Sequence, residues 1–474
     1  MHSRHKSRKV PVKPAKRLTR VPFKVSRLME FCTRRELENQ TAHAVYDWAF
    51  VILKELVDNA LDDAEEAGIA PVISVAVKGG SITVTDNGSG IPANTVKGVL
   101  DYTVRVSSRE AYVSPTRGAQ GNALKTLLAM AYVLNESLGE EACGETVIEA
   151  HGTAHHIRFS VDHIKQEPKI EHVTKPSRIA KGSRIKVELP DYGGYGNLLE
   201  YAKEEFLTLA ESYAWLNPHL TLRVSWNGQQ VINVKASNPG WRKWLPTWPT
   251  SAHWYDKSRF RRYMAAHVTN HGSITVREFI SEFRRMTATA KQKLVLVETG
   301  ASHVSLHNYF GLHKANTENI AKLLASIQQH TKPVKAVELG RIGKEHLYRM
   351  MEIAGGDPKT FTYTPSLGEN NGVPRVIEFA FGIHRNGLDA GGQAPQRKII
   401  TGVNWSPGIK NPFRQIGHGG DGLDAILSEV RATTSQPVIA VLHLACPRVA
   451  YTDRGKSAIV VEGDVREDSN DQEE

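Results

Sequence analysis

Three short clusters in this chain combine acids, amides and glycines at spacings that suit phosphate chemistry. In KELVDNALDDAEEAG, Glu55, Asn59 and Asp62 stand at i, i+4 and i+7, so one helical face presents them together. A carboxylate beside a carboxamide serves two linked tasks. Glu55 can polarise a water for attack on a γ-phosphate, and the Asn59 oxygen can ligate Mg2+. In isolation such a pair reads as a solvated helix face. The next cluster, TDNGSGIP (85–92), ends a strand in a turn, where Gly88 and Gly90 permit positive φ and close approach of a ligand. Asp86, at the strand end, can accept a hydrogen bond from an adenine amino group. In the third, SSREAYVSPTRGAQGNALKTLLAM (107–130), Gly118, Gln120 and Gly121 precede a helix whose first amides can meet phosphate oxygens. Further on, KGSRIKVEL (181–189) places Ser183 at a strand start, where its hydroxyl can support Asp86.

The elements that must position these residues alternate in type. Residues 24–68 read as helices, with Leu56, Ala60 and Ala64 lining a buried stripe. Short β-type runs follow at 73–77 and 81–86, a Leu- and Ala-rich helix at 118–134, and strands at 155–161, 183–189 and 220–226. Helices and strands sharing one sheet predict an α/β (α+β) sandwich. Residues 238–254 mix prolines with Trp241, Trp244, Trp248 and Trp254, which reads as packing at a domain junction. From 255 to 352 the pattern is helical. A second α/β unit begins near 373, with strands RVIEFAFGI, RKIITGVNW and PVIAVLHLA and the helix LDAILSEV between the last two.

Composition bounds the partners. The chain has 474 residues, a net charge of +10 and three widely spaced cysteines, which suit a reducing compartment and form no zinc site. No apolar run approaches the roughly 20 residues of a membrane span, and no apolar signal core follows the basic start. A cytoplasmic location (nucleoid-associated in a prokaryote) with no membrane is expected. Residues 2–20 carry eight basic side chains and no acid, whereas 462–474 are strongly acidic. The positive balance points first to nucleic acid, with DNA the expected partner, and leaves open whether the basic arm touches it or is merely solvated.

Taken in order, these motifs resemble those of the GHKL ATPases. RGAQG before ALKTLLAMAYVL, then YAWLNPHLTL, VKAVELGRIGKEHL, VPRVIEFAFGI and VLHLACPRVAYTDRGKSAI, is similar to the ATPase subunit of type IIB, or VI, DNA topoisomerases. The resemblance implies a Bergerat-type α/β sandwich over 24–236, after a basic arm at 1–23. It further implies a helical helix-two-turns-helix-like domain at 237–335, a transducer domain with a βαβ crossover at 336–461, and an acidic tail at 462–474. Its cofactors would be ATP and Mg2+. Glu55 would be the general base, Asn59 the metal ligand and Asp86 the adenine contact, with Gly118–Gly121 as phosphate lid. Lys456 would reach the γ-phosphate from the transducer. The implied pocket also takes in Asp62, Gly88, Gly90, Ile91, Ser107, Ser108, Ala119, Gln120, Asn122 and Ser183. Where the family's lid has a third glycine, this chain has Ala123. The implied function is an ATP-dependent homodimerising clamp on DNA, with cleavage supplied by a separate protein similar to the DNA-cleaving subunit of topoisomerase VI. The alternative is a non-cleaving, ATP-regulated DNA-binding or defence-type switch protein.

Overall fold

The computed structural model describes residues 32–102, 111–118, 123–136, 142–162, 164–165, 167–190, 198–270, 274–311, 315–385, 396–416, 422–452 and 458–460. The chain opens with α1 (Arg34–Thr41), whose first turn is capped by the Thr33 hydroxyl, and then α2 (Trp48–Glu66). Helix α2 buries Trp48, Ile52, Leu53, Leu56, Val57, Ala60, Leu61 and Ala64, the apolar stripe its sequence predicts. Gly68, at φ +69°, turns the chain out of the helix and toward the first strand.

An eight-stranded sheet supports α2. Its strands are β1 (Val72–Lys78), β2 (Ser81–Thr85), β3 (Gly144–Ala150), β4 (Thr153–Asp162), β5 (Glu167–Pro176), β6 (Ser183–Glu188), β7 (Thr221–Trp226) and β8 (Gln229–Val234). They run in the order β5-β4-β3-β6-β2-β1-β7-β8. Every neighbouring pair is antiparallel except β1 with β7. Helices α3 (Ala93–Val99), α4 (Ala123–Leu134), α5 (Leu198–Tyr201) and α6 (Lys203–Leu216) complete this layer. Side chains of α4 from Leu127 to Leu134 are buried, so the helix after the glycine-rich segment is anchored by its apolar body.

A helical region follows: α7 (Lys257–Asn270), α8 (Val276–Ser281), α9 (Thr289–Glu298), α10 (Leu306–Phe310) and α11 (Thr317–His330). Its core is aromatic, with Tyr263, Phe279 and Phe283 meeting ring to ring. Helix α12 (Lys344–Ile353) leads to the second sheet, built from β9 (Thr362–Asn370), β10 (Val373–Ile383), β11 (Lys398–Val403), β12 (Ser406–Pro407) and β13 (Val438–Ala445). Its order is β12-β11-β13-β10-β9. Strands β11 and β13 are parallel neighbours, joined through α13 (Gly422–Glu429), as a strand–helix–strand pattern requires. The strands at 144–150, 167–176, 229–234 and 362–370 are additional to the predicted ones. Strand β5 is an edge strand whose side chains are largely exposed, so its sequence lacks an apolar face.

Candidate nucleotide-binding site

Asp86 sits one residue past β2. Its amide donates to the Ser183 carbonyl at 3.0 Å, which extends the β2–β6 contact to the acid itself. Its Oδ1 accepts from the amides of Gly88 (2.8 Å) and Ser183 (3.2 Å). Burial pushes the Asp86 carboxyl up to about 6, against the two amide bonds that favour its charge. A half-buried carboxylate with its other oxygen unclaimed among the described residues is a ready acceptor for an N–H donor.

The neighbouring glycines have distinct jobs. Gly90 carries the left-handed backbone, at φ +90°. Gly88 is not in that region, contrary to the expectation that both would be. A Cβ there would stand 2.3 Å from Asp63 Oδ2, so its need is room. Gly182 faces the strongest constraint, with φ +67° and a hypothetical Cβ 2.1 Å from the Asp86 carbonyl oxygen. Ser183 supports Asp86 through its amide rather than through the hydroxyl, as the sequence suggested. The hydroxyl instead accepts the Ile91 amide at 3.0 Å and fixes the exit of the turn.

Asp63 is the residue that the spacing argument passed over. Its Oδ2 accepts the Gly90 amide at 2.9 Å and its Oδ1 takes the Ser89 hydroxyl, so α2 clamps the whole Asp86–Gly90 turn. Asn87 fastens the other side, accepting from Val72 N at 2.8 Å and donating to the Ala70 carbonyl at 3.0 Å. Glu55 is half-buried and Asn59 exposed, one turn apart on α2. Asp62 is engaged by the residue before Gly118: its Oδ1 lies 2.7 Å from Arg117 Nη1, in an ion pair. Gly118 is exposed, with its carbonyl accepting the Thr116 hydroxyl at 2.7 Å. Ser107, Ser108, Ala119, Gln120, Gly121, Asn122 and Lys456 lie outside the described residues.

Residues 44–193 match the family described as histidine kinase-, DNA gyrase B-, and HSP90-like ATPase, and this stretch holds α2, the Asp86 turn and Ser183. It is a GHKL ATPase domain. The chain is also 31% identical over 175 residues to the B subunit of type 2 DNA topoisomerase 6 of Natronomonas pharaonis, covering 35% of this chain and 20% of that one. It is 22% identical over 425 residues to the protein of the same name in Archaeoglobus fulgidus, covering 86% of this chain and 66% of the relative. The chain thus spans less than two thirds of the length of these curated relatives. Among solved structures, the 43K ATPase domain of Thermus thermophilus gyrase B is 14% identical with a TM-score of 0.33, covering 88% of this chain and 79% of that one.

Behind the GHKL pocket lies a buried charged hub. Arg117, directly before Gly118, donates through Nη1 to Glu65 Oε2 and through Nη2 to Glu65 Oε1, both at 2.7 Å. A further bond runs from Nη2 to Asn217 Oδ1 at 2.7 Å. Glu65 also meets His219 Nε2 and Lys243 Nζ, each at 2.9 Å. Burial works against its charge, yet Arg117 and Lys243 hold the Glu65 carboxyl well below the usual carboxylate range. Burial lowers the His219 and Lys243 values. Lys243 Nζ stands 5.1 Å from the ring centre of Trp405, in the second sheet. None of these contacts has a helical or strand spacing, so no sequence pattern announces the hub.

The second sheet grips the GHKL domain through the β11–β12 turn. Asn404 and Trp405 both adopt positive φ, 51° and 62°, a two-residue hairpin geometry that is strained for tryptophan. The strain is held in place by packing: Trp405 is fully buried, and Asn217 Nδ2 donates to its carbonyl at 2.9 Å. Asn404 Nδ2 reaches the Thr116 carbonyl at 3.3 Å, at the base of the glycine-rich segment. Ser406 places its hydroxyl 2.8 Å from both oxygens of Asp58, on the α2 turn that also bears Glu55 and Asn59. Lys54 (3.0 Å) and Tyr213 (2.9 Å) complete the shell around Asp58. The approach to Gly118 is also tied to the segment before the helical region: Val113 N donates to Tyr255 Oη at 2.9 Å, and Thr250 Oγ1 to Val113 O at 2.7 Å. The tryptophan cluster packs at this junction as expected, with Trp244 against Trp254 at 5.1 Å and Trp241 against Trp405 at 5.9 Å.

Proposed function

We propose that the chain is an ATP-hydrolysing clamp. ATP binding in the GHKL domain would close two copies around DNA, and hydrolysis would reset them. The observation that carries this reading is the clamping of the Asp86–Gly90 turn onto α2 by Asp63, while Ser406 of the second sheet holds the same helix through Asp58. One rigid helix therefore borders the adenine-recognising turn and the domain that would respond. The similarity to curated topoisomerase 6 proteins supports DNA as the substrate and a separate DNA-cleaving protein as the partner. Among the described residues no helix is long and apolar enough to cross a membrane.

In this mechanism Asp86 accepts the adenine amino group and Gly90 lets the backbone approach the base. The amides after Gly118 meet the phosphates, and Glu55 orients and deprotonates the attacking water. Lys456 supplies a compact positive charge to the γ-phosphate. Asn59 would hold Mg2+ through its carboxamide oxygen, and the ion would supply positive charge against the phosphates. The exposed Asn59 carboxamide suits an ion that takes few protein ligands and completes its shell with phosphate and water. Replacing Glu55 by Ala should leave ATP binding intact and lower turnover by about 10²–10⁴. A non-hydrolysable ATP analogue should convert monomer to dimer in sedimentation. Wild-type turnover in Glu55→Ala, or an unchanged monomer with the analogue, would overturn the reading.

A further inference from the structure

A cavity of about 670 Å³ opens where the segment after β8, the loop before α12, α12 itself and β9 converge. It shares no residue with the nucleotide pocket. Arg242, Arg341, Lys344 and Arg349 line it, against a single lining carboxylate, Glu345. All four cations are exposed, and none has an ion-pair partner among the described residues. Four unpaired cations around one concavity repel each other and gain nothing from folding in this arrangement. An anion between them removes that repulsion.

The walls are rigid enough to act as a site. Trp241 Nε1 donates to the Arg341 carbonyl at 2.5 Å, and the Tyr363 hydroxyl donates to Glu378 at 2.7 Å. Glu378, fully buried behind the cavity, also accepts the amides of Ile342 and Gly343 at 2.9 Å each. Those bonds fix the loop that carries Arg341. The cap of α12 is Gly343, at φ +92°, with no side chain to close the first turn. The amides of Lys344, Glu345 and His346 have no acceptor among the described residues, so the helix start adds donors to the cation cluster.

We propose that this cavity is a phosphate-binding site, distinct from the nucleotide pocket. Arg341 and Arg349 offer planar forks to phosphate oxygens, Lys344 a point charge, and α12 its amides. The phosphate can come from a nucleic-acid backbone or from a small phosphorylated molecule, and the first source rests on the reading of the chain as a DNA clamp. The test uses the full chain with its nucleotide pocket saturated by a non-hydrolysable ATP analogue. Inorganic pyrophosphate binding is measured by calorimetry and duplex DNA binding by polarisation over a salt series. The Arg341→Ala/Lys344→Ala variant should bind pyrophosphate at least about tenfold more weakly, a change of about 1.4 kcal/mol. If the source is nucleic acid, its DNA salt slope should also fall by about two, near 0.9 for each lost phosphate contact. A pyrophosphate loss with an unchanged DNA slope assigns the site to a small phosphorylated ligand. Pyrophosphate affinity and DNA slope both unchanged would overturn the site. So would equal losses in Arg261→Ala/Arg262→Ala, two exposed arginines on α7. ATP turnover measured without DNA stays a separate readout, so a failed ATPase reading and a failed phosphate site cannot be confused.

Discussion

Arg117 and Glu65 meet through two parallel bonds of 2.7 Å, and this pair joins the base of the glycine-rich segment to the last turn of the helix that bears Glu55. Both side chains are buried. Burial opposes the charge on Arg117, and Glu65 with Asp62 overcomes that opposition and keeps the guanidinium protonated. Two planar groups in register allow little rotation, so the position of Gly118 is tied to the position of α2. Asn217 and Lys243 extend the same network to the β11–β12 turn of the second sheet, through the Trp405 carbonyl and ring.

Arg117→Ala is therefore expected to lower stability by about 3 kcal/mol, the lower end for a broken buried pair, because Lys243 and His219 still face Glu65. Arg117→Lys should recover only part of the loss, since one ammonium cannot reach Asp62, both Glu65 oxygens and Asn217 together. Urea denaturation gives the stability and nucleotide titration gives the affinity. Full recovery by lysine would show that charge, rather than the bidentate geometry, sets the base of the glycine-rich segment.

Asp86 gives the site a pH signature. With its carboxyl at about 6, the acceptor form is lost as pH falls through that value, and ATP affinity should drop about tenfold per unit below it. Asp86→Asn should bind ATP weakly with a flat profile. Stability runs the other way. The unfolded carboxyl ionises near 3.8 and the folded one near 6, so stability is lost as pH rises between these values and stays lost above them. At neutral pH the Asn variant should melt higher than wild type, and the difference should vanish near the unfolded value. A lower melting temperature for Asp86→Asn at neutral pH would mean that the carboxylate is structurally required.

Which parts of this were legible follows from the range of the contacts. Helix α2, the Asp86 turn and the strand beginning at Ser183 are local patterns, and each lies where periodicity or turn chemistry places it. The pairing of Asp62 and Asp63 was not legible. Adjacent acids on a helix differ in direction by about 100°, and which one meets the turn depends on how α2 is rotated on the sheet. The rotation is set by buried residues such as Trp48, Leu53 and Leu61, and it sends Asp63 to Gly90 and Asp62 to Arg117. Glu65, Asn217, His219 and Lys243 come from separate segments and converge only in the folded chain. The strained Asn404–Trp405 turn had no glycine to mark it.

Two glycines of like conformation separate backbone strain from close approach. Gly79 has φ +55° and open space around its Cβ direction, whereas Gly182 at +67° would drive a Cβ into the Asp86 carbonyl. Gly79→Ala should cost about 1–2 kcal/mol of stability and leave nucleotide affinity alone. Gly182→Ala should lose both, because Asp86 must move. Equal nucleotide affinity in the two variants would argue that the Asp86 backbone position is not what the pocket reads.

Ser406 offers the sharpest test of communication between the two sheets. Its hydroxyl touches Asp58, which sits three residues after Glu55 and one before Asn59, and among the described residues no other side chain from the strands of the second sheet hydrogen-bonds that acid. Removing it leaves Asp58 with Lys54 and Tyr213, so the acid remains paired and the GHKL domain remains folded. The hydroxyl donates to Asp58 and accepts from the Lys54 ammonium, and losing its bonds to these two charged groups should cost about 1.5–3 kcal/mol or more, felt mainly as a looser junction. Ser406→Ala is therefore expected to bind ATP with nearly unchanged affinity while the non-hydrolysable analogue drives dimerisation less completely. Limited proteolysis should show weaker nucleotide-dependent protection of the second sheet. Ser406→Thr retains the hydroxyl and should behave as wild type where its extra methyl is accommodated. Full analogue-driven dimerisation in Ser406→Ala would shift the coupling to Asn404 and Trp405, which meet Thr116 and Asn217 rather than α2.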